Sequence, residues 1–404
     1  MSVVVQKYGG TSVGDADRIR EVADHIARTR RLGHDVVVAV SAMGKETDEL
    51  LHLADQVSTT KPGREMDMLV TAGERKATAL VTMALADLGV PALSFTGSQV
   101  GFLTDTTHRN AKILEIRPER LRQAVAEGKV PVVGGAQGMS TAGDITFLGR
   151  GGTDTTAVAL AAVLGAEVCE LYTDVTGLFT ADPRVVPDAR RLPELSFEEL
   201  LEMTASGLPK PAMRAVEFAR NHGVKLHIRS AFTWEHGTWV REEQSMEQAI
   251  ISGVTHDISE AKVTITRVPD QPGIAAQLFR GLADSDVNVD MIVQNTSVHG
   301  TTDISFTVPL EQLKTALSVT ESVAPGIGAG EVETDSEVGR VSLIGAGMKS
   351  NPGVAATMFE TLAREGVNIE MISTSSIRIS CVVREEQVEK AVQALHDAFG
   401  LAKG

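Results

Sequence analysis

The feature that most constrains the fold is an internal repeat in the last third of the chain. Pro272-Gly273, Phe279, Leu282 and Val287-Asn288-Val289-Asp290-Met291-Ile292 return as Pro352-Gly353, Phe359, Leu362 and Val367-Asn368-Ile369-Glu370-Met371-Ile372. Every pair lies 80 residues apart, so the register holds through a whole structural unit. Each copy reads as a strand, a Pro-Gly turn, an amphipathic helix, an Asn-led strand and a further strand. Two small βαββαβ modules follow, spanning 259–335 and 336–404. The charged, turn-poor stretch WVREEQSMEQAI (239–250) reads as a linker or short helix, and the linker before the modules is set at 246–258.

Residues 1–245 have another texture. Val3 to Val5, Val36 to Val40, Val130 to Val133 and Val168 to Tyr172 are apolar runs that read as strands buried on both faces. Between the first two, Ile19, Val22, Ala23, Ile26 and Ala27 fall on one helical stripe. Such alternation predicts an α/β fold, a mainly parallel sheet in an αβα sandwich, with ligands at Gly-rich turns where strands hand over to helices.

Composition excludes several classes. A chain of 404 residues calls for two or three domains. A formal charge of -15 argues against nucleic-acid or anionic-membrane surfaces, which need basic patches. Cys169 and Cys381 are the only cysteines, too few for a Cys-based metal site and no sign of an oxidising compartment. The start, MSVVVQKYGG, lacks the features of a secretory signal, and no run of about 18 apolar residues marks a membrane span. The expectation is a cytoplasmic protein. The ten histidines form no ligand-like cluster, so no protein-bound metal is expected.

Several short motifs bear on chemistry. Lys7-Tyr8-Gly9-Gly10-Thr11-Ser12 follows the first strand. Its glycines let backbone N–H groups approach a phosphate, and the lysine neutralises charge. In isolation it is a Gly-Gly turn with a surface lysine and no Walker A loop. Gly149-Arg150-Gly151-Gly152-Thr153-Asp154 opens an apolar helix, a setting that suits an anion, and Arg150 offers a bidentate fork for a carboxylate. Asp154 alone reads equally well as a helix-start residue. Asp182-Pro183-Arg184 alone reads as a turn, and Glu74 alone as a solvated residue.

Together they are far more specific. VQKYGGTSVG, SAMG with Thr47-Asp48, TAGER, SQVG, LGRGGTDTTAVALA and YTDVTGLFTADPR occur in this order. The sequence closely resembles the aspartokinases of the amino-acid kinase superfamily, over essentially its whole length, and the repeated modules resemble ACT domains.

The resemblance implies an ATP-dependent phosphotransferase that converts aspartate to 4-phospho-aspartate, the first step towards lysine, threonine and methionine. Lys7, Tyr8, Gly9 and Gly10 would cradle the phosphates, with Ser41 nearby, and Lys7 would stabilise charge on the moving phosphoryl group. Thr173, Asp174, Phe179, Thr180, Ala181, Asp182, Pro183 and Arg184 would line the nucleotide. Asp154 would organise the reacting centre, and Mg²⁺ would arrive with ATP. Thr47, Glu74, Arg150, Gly151 and Thr153 would hold aspartate, Arg150 taking its α-carboxylate and Glu74 its ammonium. A carboxylate is already nucleophilic near pH 7, so no general base is required, and the difficulty is repulsion between anions.

Some positions depart from the family pattern. Ala136 stands where a Phe is usual, and Phe147 where a small Thr is usual, which reads as a volume swap near the amino-acid pocket. Phe179 replaces a Tyr, and Thr176 an Asp or Pro. Pro209 stands where a nucleotide-reaching Lys is usual, with Lys210 one step along. Three consequences are open: Lys210 restores the contact, nucleotide affinity falls, or the acceptor differs. The retained Lys7, Glu74, Arg150, Asp154, Thr173 and Asp174 favour an active enzyme, a specialised paralogue. The alternatives are a kinase for a modified small carboxylate and a weakly catalytic, ligand-sensing regulatory protein.

The resemblance also implies lysine or threonine effectors bound by the ACT pair. The matching positions are Asp270, Pro272, Gly273, Ile274, Ala275, Asn288, Val289, Asp290 and Gln294 in the first module. In the second they are Val354, Ala355, Asn368, Ile369, Ser375 and Ser376. Ala355 and Ser376 replace Thr and Glu, which predicts blunted feedback. Pairing through ACT modules implies a homodimer or higher oligomer. An internal start at Met246 would give an α2β2 assembly.

Overall fold

The computed structural model describes residues 2–242, 250–295, 300–346, 348, 351 and 353–403. The chain forms two compact units, one of Met1–Leu178, Arg191–Thr204 and Pro209–Ser245, the other of Phe179–Arg190, Ala205–Leu208 and Met246–Gly404. Met246 and Pro352, named above, lie outside the described residues.

In the first unit the chain runs through β1 (Val3–Tyr8), α1 (Ala16–Arg31), β2 (Asp35–Val40), α2 (Glu46–Val57), α3 (Gly63–Asp87) and β3 (Ala92–Phe95). There follow β4 (Phe102–Thr104), β5 (Ile113–Ile116), α4 (Glu119–Ala126), β6 (Val130–Gly134), β7 (Gln137–Ser140) and β8 (Ile145–Phe147). It ends with α5 (Gly152–Leu164), β9 (Val168–Thr173), β10 (Glu194–Ser196), α6 (Phe197–Ala205), α7 (Met213–Asn221), β11 (Leu226–Ser230) and β12 (Thr238–Arg241).

Eight strands make one sheet in the order β10-β12-β11-β9-β1-β2-β6-β3. All neighbours are parallel except β11 and β12. The apolar runs read from sequence supply its centre. Because side chains alternate along a strand, the two faces are covered differently. Tyr8, Val38, Val40 and Val132 pack with Ile19, Val22 and Ile26 of α1 and with Ala77, Val81 and Leu85 of α3. The opposite face meets α5, whose residues Gly152 to Ala161 are all buried. A helix buried nearly all round suits that position between sheet and α7. From β1 the chain proceeds to β2 on one side, while β9 lies on the other. That is a switch point, where a crevice opens beyond the carboxyl ends of the strands.

The second unit contains β13 (Ile250–Asp257), β14 (Glu260–Pro269), α8 (Ile274–Asp284), β15 (Ile292–Gln294), β16 (Thr301–Pro309), α9 (Leu313–Val323) and β17 (Val332–Asp335). It continues through β18 (Val338–Ala346), α10 (Gly353–Arg364), β19 (Met371–Thr374), β20 (Arg378–Arg384) and α11 (Val388–Ala398). The first repeat is a complete βαββαβ module, with sheet order β15-β16-β14-β17. The second has the order β13-β18-β20-β19, and the strand beside its first strand comes from upstream. Residues 250–257, read from sequence as linker, are therefore that strand, and the first module is inserted between β13 and β18. The physical reason is edge satisfaction: β18 needs a partner for its outer backbone groups, as β14 has in β17.

The two modules are fastened reciprocally. Arg340 and Lys262 are each third in the first strand of their module, and Asp290 and Glu370 are repeat-equivalent. Arg340 holds Asp290 of the first module, and Lys262 holds Glu370 of the second. Residues 179–190 are built into this unit too. Ala181 and Val186 join the core formed with Leu343, Val392 and Leu395. Among the described residues, no helix is long and apolar enough to cross a membrane.

Candidate active site

The site grows from strand alternation at the end of β1. Tyr8 points into the α1/α3 face, stacked on Tyr172 with ring centroids 4.9 Å apart. Its hydroxyl bonds Gln6 and His25, and its carbonyl accepts the Ser41 N–H, so Tyr8 is committed to the fold and its side chain is turned away from the glycine turn. Lys7, one residue earlier, points to the α5 face. There its Nζ meets Asp154 Oδ1 at 2.8 Å, both side chains only 7% exposed. The other oxygen, Asp154 Oδ2, accepts the Ala212 N–H at 3.0 Å. A buried charge is retained only when paired in this way.

The glycines fit close chain approach. A Cβ on Gly10 would stand 2.9 Å from the carbonyl oxygens of Ala42 and Gly44. A Cβ on Gly9 would come within 3.1 Å of the Lys7 ammonium, so a side chain there would crowd that charge. Ser41, just past β2, donates to Thr153 Oγ1 at 2.9 Å. The β1 and β2 turns thus converge on the first turn of α5, whose N-cap Gly151 has φ 72°. The positive end of the α5 dipole marks that point, while the Gly152 and Asp154 N–H groups turn back onto the Gly149 and Gly151 carbonyls.

Arg150 adjoins the same helix start. It is 92% exposed, 3.6 Å from Asp48 of α2, which is a loose solvent-facing pair. Thr47, half-buried, precedes Asp48 in the first turn of α2. Lys7, near the carboxyl end of the central strand β1, and Arg150 are therefore linked through the start of α5. Glu74, in mid α3, is buried, and its Oε2 lacks a hydrogen-bond partner. Burial pushes its carboxyl up to about 7, against the lowering effect of backbone hydrogen bonds. A dry carboxylate with an open oxygen suits an ammonium group.

Beyond β9, Thr173 is buried, its hydroxyl turned back onto the Val175 backbone. Asp174 lies 3.6 Å from Lys210, both about half exposed. The lysine shifted by one position thus meets one of the expected nucleotide residues. Phe179 to Arg184 belong to the other unit. Thr180 is fully buried there, its hydroxyl 2.9 Å from His396 Nε2, and Ala181 is in that unit's core. Asp182 is held below the usual carboxylate range by its hydrogen bonds from Arg184, while Pro183 is exposed.

Two of the departures, Ala136 and Phe147, lie beside the α5 start. Ala136 has φ 55° and lies under Gly152, where a Cβ on the glycine would approach Ala136 Cβ to 2.8 Å. Phe147 pairs with Gln137, next in sequence to Ala136, so the two swapped positions are neighbours across β7 and β8. Two contributors went unread in the sequence. The Ala212 N–H anchors Asp154, and Arg214 donates to the Leu148 and Ala111 carbonyls, fixing the approach to Gly149. Backbone partners leave no mark on residue type.

The expected effector positions are exposed or half-buried in the ACT unit. Asp270, Pro272, Gly273, Ile274 and Ala275 form the turn into α8, with Asn288, Val289, Asp290 and Gln294 before and on β15. Val354 and Ala355 begin α10, Asn368 and Ile369 precede β19, and Ser375 and Ser376 follow it.

The donor set fits Mg²⁺ carried by phosphates. Asp154 is already shared between Lys7 and a backbone N–H, while Asp174 is open to solvent, which suits a cation keeping phosphate and water ligands.

Comparison with known proteins agrees with this geometry. Residues 2–230 match the Amino acid kinase family, and residues 266–322 and 341–399 match the ACT domain. The chain is 55% identical to an aspartokinase of Mycolicibacterium smegmatis, over 99% of this chain and 97% of that protein. It is 49% identical to an aspartate kinase of Pseudomonas putida, over 99% and 98%. The structure of E. coli aspartokinase III in complex with aspartate and ADP (R-state) superposes with TM-score 0.83 at 26% identity, covering 98% of this chain and 99% of that one. The lysine and aspartate complex (T-state) of the same enzyme gives 0.74, with equal identity and coverage. The chain belongs to the amino acid kinase family and, within it, to the aspartokinases.

Proposed function

We propose that this chain transfers the γ-phosphoryl group of ATP to the side-chain carboxylate of L-aspartate. A carboxylate oxygen attacks phosphorus, the new O–P bond forms, and the bond to the β-phosphate bridging oxygen breaks, giving 4-phospho-L-aspartate and ADP. The observation that carries this reading is the buried Lys7–Asp154 pair beneath the start of α5. It fixes an ammonium where two anions must meet, without reorganisation during reaction. The backbone N–H groups of the Gly9-Gly10 turn and the positive end of the α5 dipole add to that stabilisation.

Arg150 holds the α-carboxylate and Glu74 the ammonium, with Thr47, Gly151 and Thr153 completing the pocket. Lys210 and Asp174 meet the nucleotide. Mg²⁺ bound with ATP would spread charge over the phosphate oxygens, with Asp174 the carboxylate placed to hold it. The E. coli complexes with aspartate and ADP, and with lysine and aspartate, support these ligands and a lysine-class effector for the ACT unit. Asp270 to Ala275, Asn288 to Asp290 and the matching second-module residues would receive it, with weakened polar recognition at Ala355 and Ser376. Exposed Ile292 and Ile372 on the edge strands β15 and β19 support association through the ACT modules. Two free, buried cysteines fit a reducing, ATP-containing cytoplasm.

The test is turnover of the full chain with MgATP and aspartate, trapping product with hydroxylamine and varying the acceptor. Aspartate-dependent hydroxamate supports the assignment. A faster reaction with a substituted aspartate would reassign the acceptor, and no reaction would overturn kinase activity.

A further inference from the structure

The ACT unit carries a second constellation of ligand-type side chains. Asp188, His396 and Asp397 each offer one atom, and these atoms all lie within 4.8 Å of one another. His396 sits in the last turn of α11 and is completely buried. Asp188 and Asp397 are exposed, and neither forms an ion pair among the described residues. We propose that these three residues form a binding site for a divalent transition cation, with Zn²⁺ the best fit.

The histidine carries the argument. Its Nε2 is committed to the Thr180 hydroxyl at 2.9 Å, and that oxygen also accepts the Arg190 N–H. Its Nδ1 is buried with no hydrogen-bond partner. A buried polar atom left unpaired is costly and calls for a partner. Metal-bound imidazoles characteristically engage their second nitrogen with a neighbouring oxygen, which fixes the ring orientation, and Thr180 performs that office here. The free nitrogen is the one left for coordination, and the two carboxylates of the cluster carry like charges that a dication would neutralise.

One imidazole and two carboxylates, completed by water, suit Zn²⁺ better than Ca²⁺ or Mg²⁺, which prefer all-oxygen shells. Bond lengths of about 2.0–2.2 Å require the ligand atoms to draw closer. The exposed aspartates can turn, while the histidine is held by packing. The platform is firm: Gln393 of α11 donates to the Val185 carbonyl at 2.9 Å, and the Val254 N–H reaches the Thr180 carbonyl at 2.7 Å. The cation would lock residues 179–190 to α11.

The experiment is competition of the chelator-treated, full-length protein against a chromophoric Zn²⁺ indicator, with Co²⁺ absorption as a readout of coordination. The wild type is expected to take one Zn²⁺ per chain and to give a Co²⁺ ligand-field spectrum with nitrogen ligation. The Asp188→Asn/Asp397→Asn variant should bind Zn²⁺ about tenfold or more weakly, with an unchanged metal-free melting temperature because both side chains are exposed. No stoichiometric uptake by the wild type, or equal uptake by the variant, would overturn the proposal.

Discussion

Lys7 Nζ and Asp154 Oδ1 meet 2.8 Å apart, each side chain 7% exposed, at the point where β1 faces the first turn of α5. In the proposed reaction the pair has both a structural and a catalytic role, and the two separate by mutation. Lys7→Met strands a buried carboxylate, so both stability and kcat should fall. Lys7→Met with Asp154→Asn should recover much of the melting temperature, because a neutral pair carries no uncompensated charge. It should leave kcat down by about 100-fold or more, as for removal of one transition-state donor. Recovery of kcat together with stability would assign the pair a packing role alone.

Arg150 is almost fully exposed, with only a loose pair to Asp48. Arg150→Ala should therefore leave the melting temperature unchanged. The KM for aspartate should rise about 100-fold, corresponding to loss of about 2.7 kcal/mol for a bidentate charged contact. Arg150→Lys should recover only part of this, since an ammonium lacks the planar fork. Steady-state kinetics at saturating ATP measure both.

Glu74 gives a pH signature. Burial raises its carboxyl from 4.5 to about 7. The folded state thus binds a proton more tightly than the unfolded one, and stability from this group is complete below about 4.5. It declines as pH rises through 7, with a limiting slope of about 1.4 kcal/mol per pH unit. Glu74→Gln should flatten that decline in denaturant titrations. In the proposed site, substrate binding would run the opposite way, because an ammonium needs the ionised form. The KM for aspartate should fall between pH 6 and 8 in the wild type and lose that dependence in Glu74→Gln.

Lys210 lies 3.6 Å from Asp174, in the expected nucleotide region. Lys210→Ala should raise the KM for ATP about tenfold, corresponding to about 1.4 kcal/mol, with little change in the KM for aspartate. Equal effects on both substrates would remove Lys210 from nucleotide recognition.

In the regulatory unit, Arg340 is 1% exposed among Asp257, Glu260 and Asp290, with the Ala205 carbonyl 2.8 Å away. Arg340→Met should destabilise this unit by about 3–5 kcal/mol, since three carboxylates lose their cation. Calorimetry would register a lower transition for that unit.

Much of this was legible in the sequence, because the signals were periodic or local. The valine runs gave the central strands, the stripe at Ile19, Val22 and Ile26 the face of α1, and the 80-residue register the paired modules. Residues 250–257 were misread because a strand that pairs with β18, nearly a hundred positions later, has no local partner to reveal it. The bond between Thr180 and His396 spans 216 positions and leaves no spacing signal. Likewise, the anchoring of Asp154 by the Ala212 N–H depends on backbone alone. Long-range pairings and main-chain partners are properties of topology, not of residue type.

The orientation of the acceptor is the most direct test of how the site works. If Arg150 grips the α-carboxylate and Glu74 the ammonium, phosphorylation falls only on the carboxylate at the far end of aspartate. Mass spectrometry of the adduct formed with hydroxylamine, fragmented to locate the modified carbon, reads this out. The predicted product is the β-hydroxamate alone; an α-hydroxamate, or a mixture of both, would contradict the placement of Arg150 and Glu74 around the substrate.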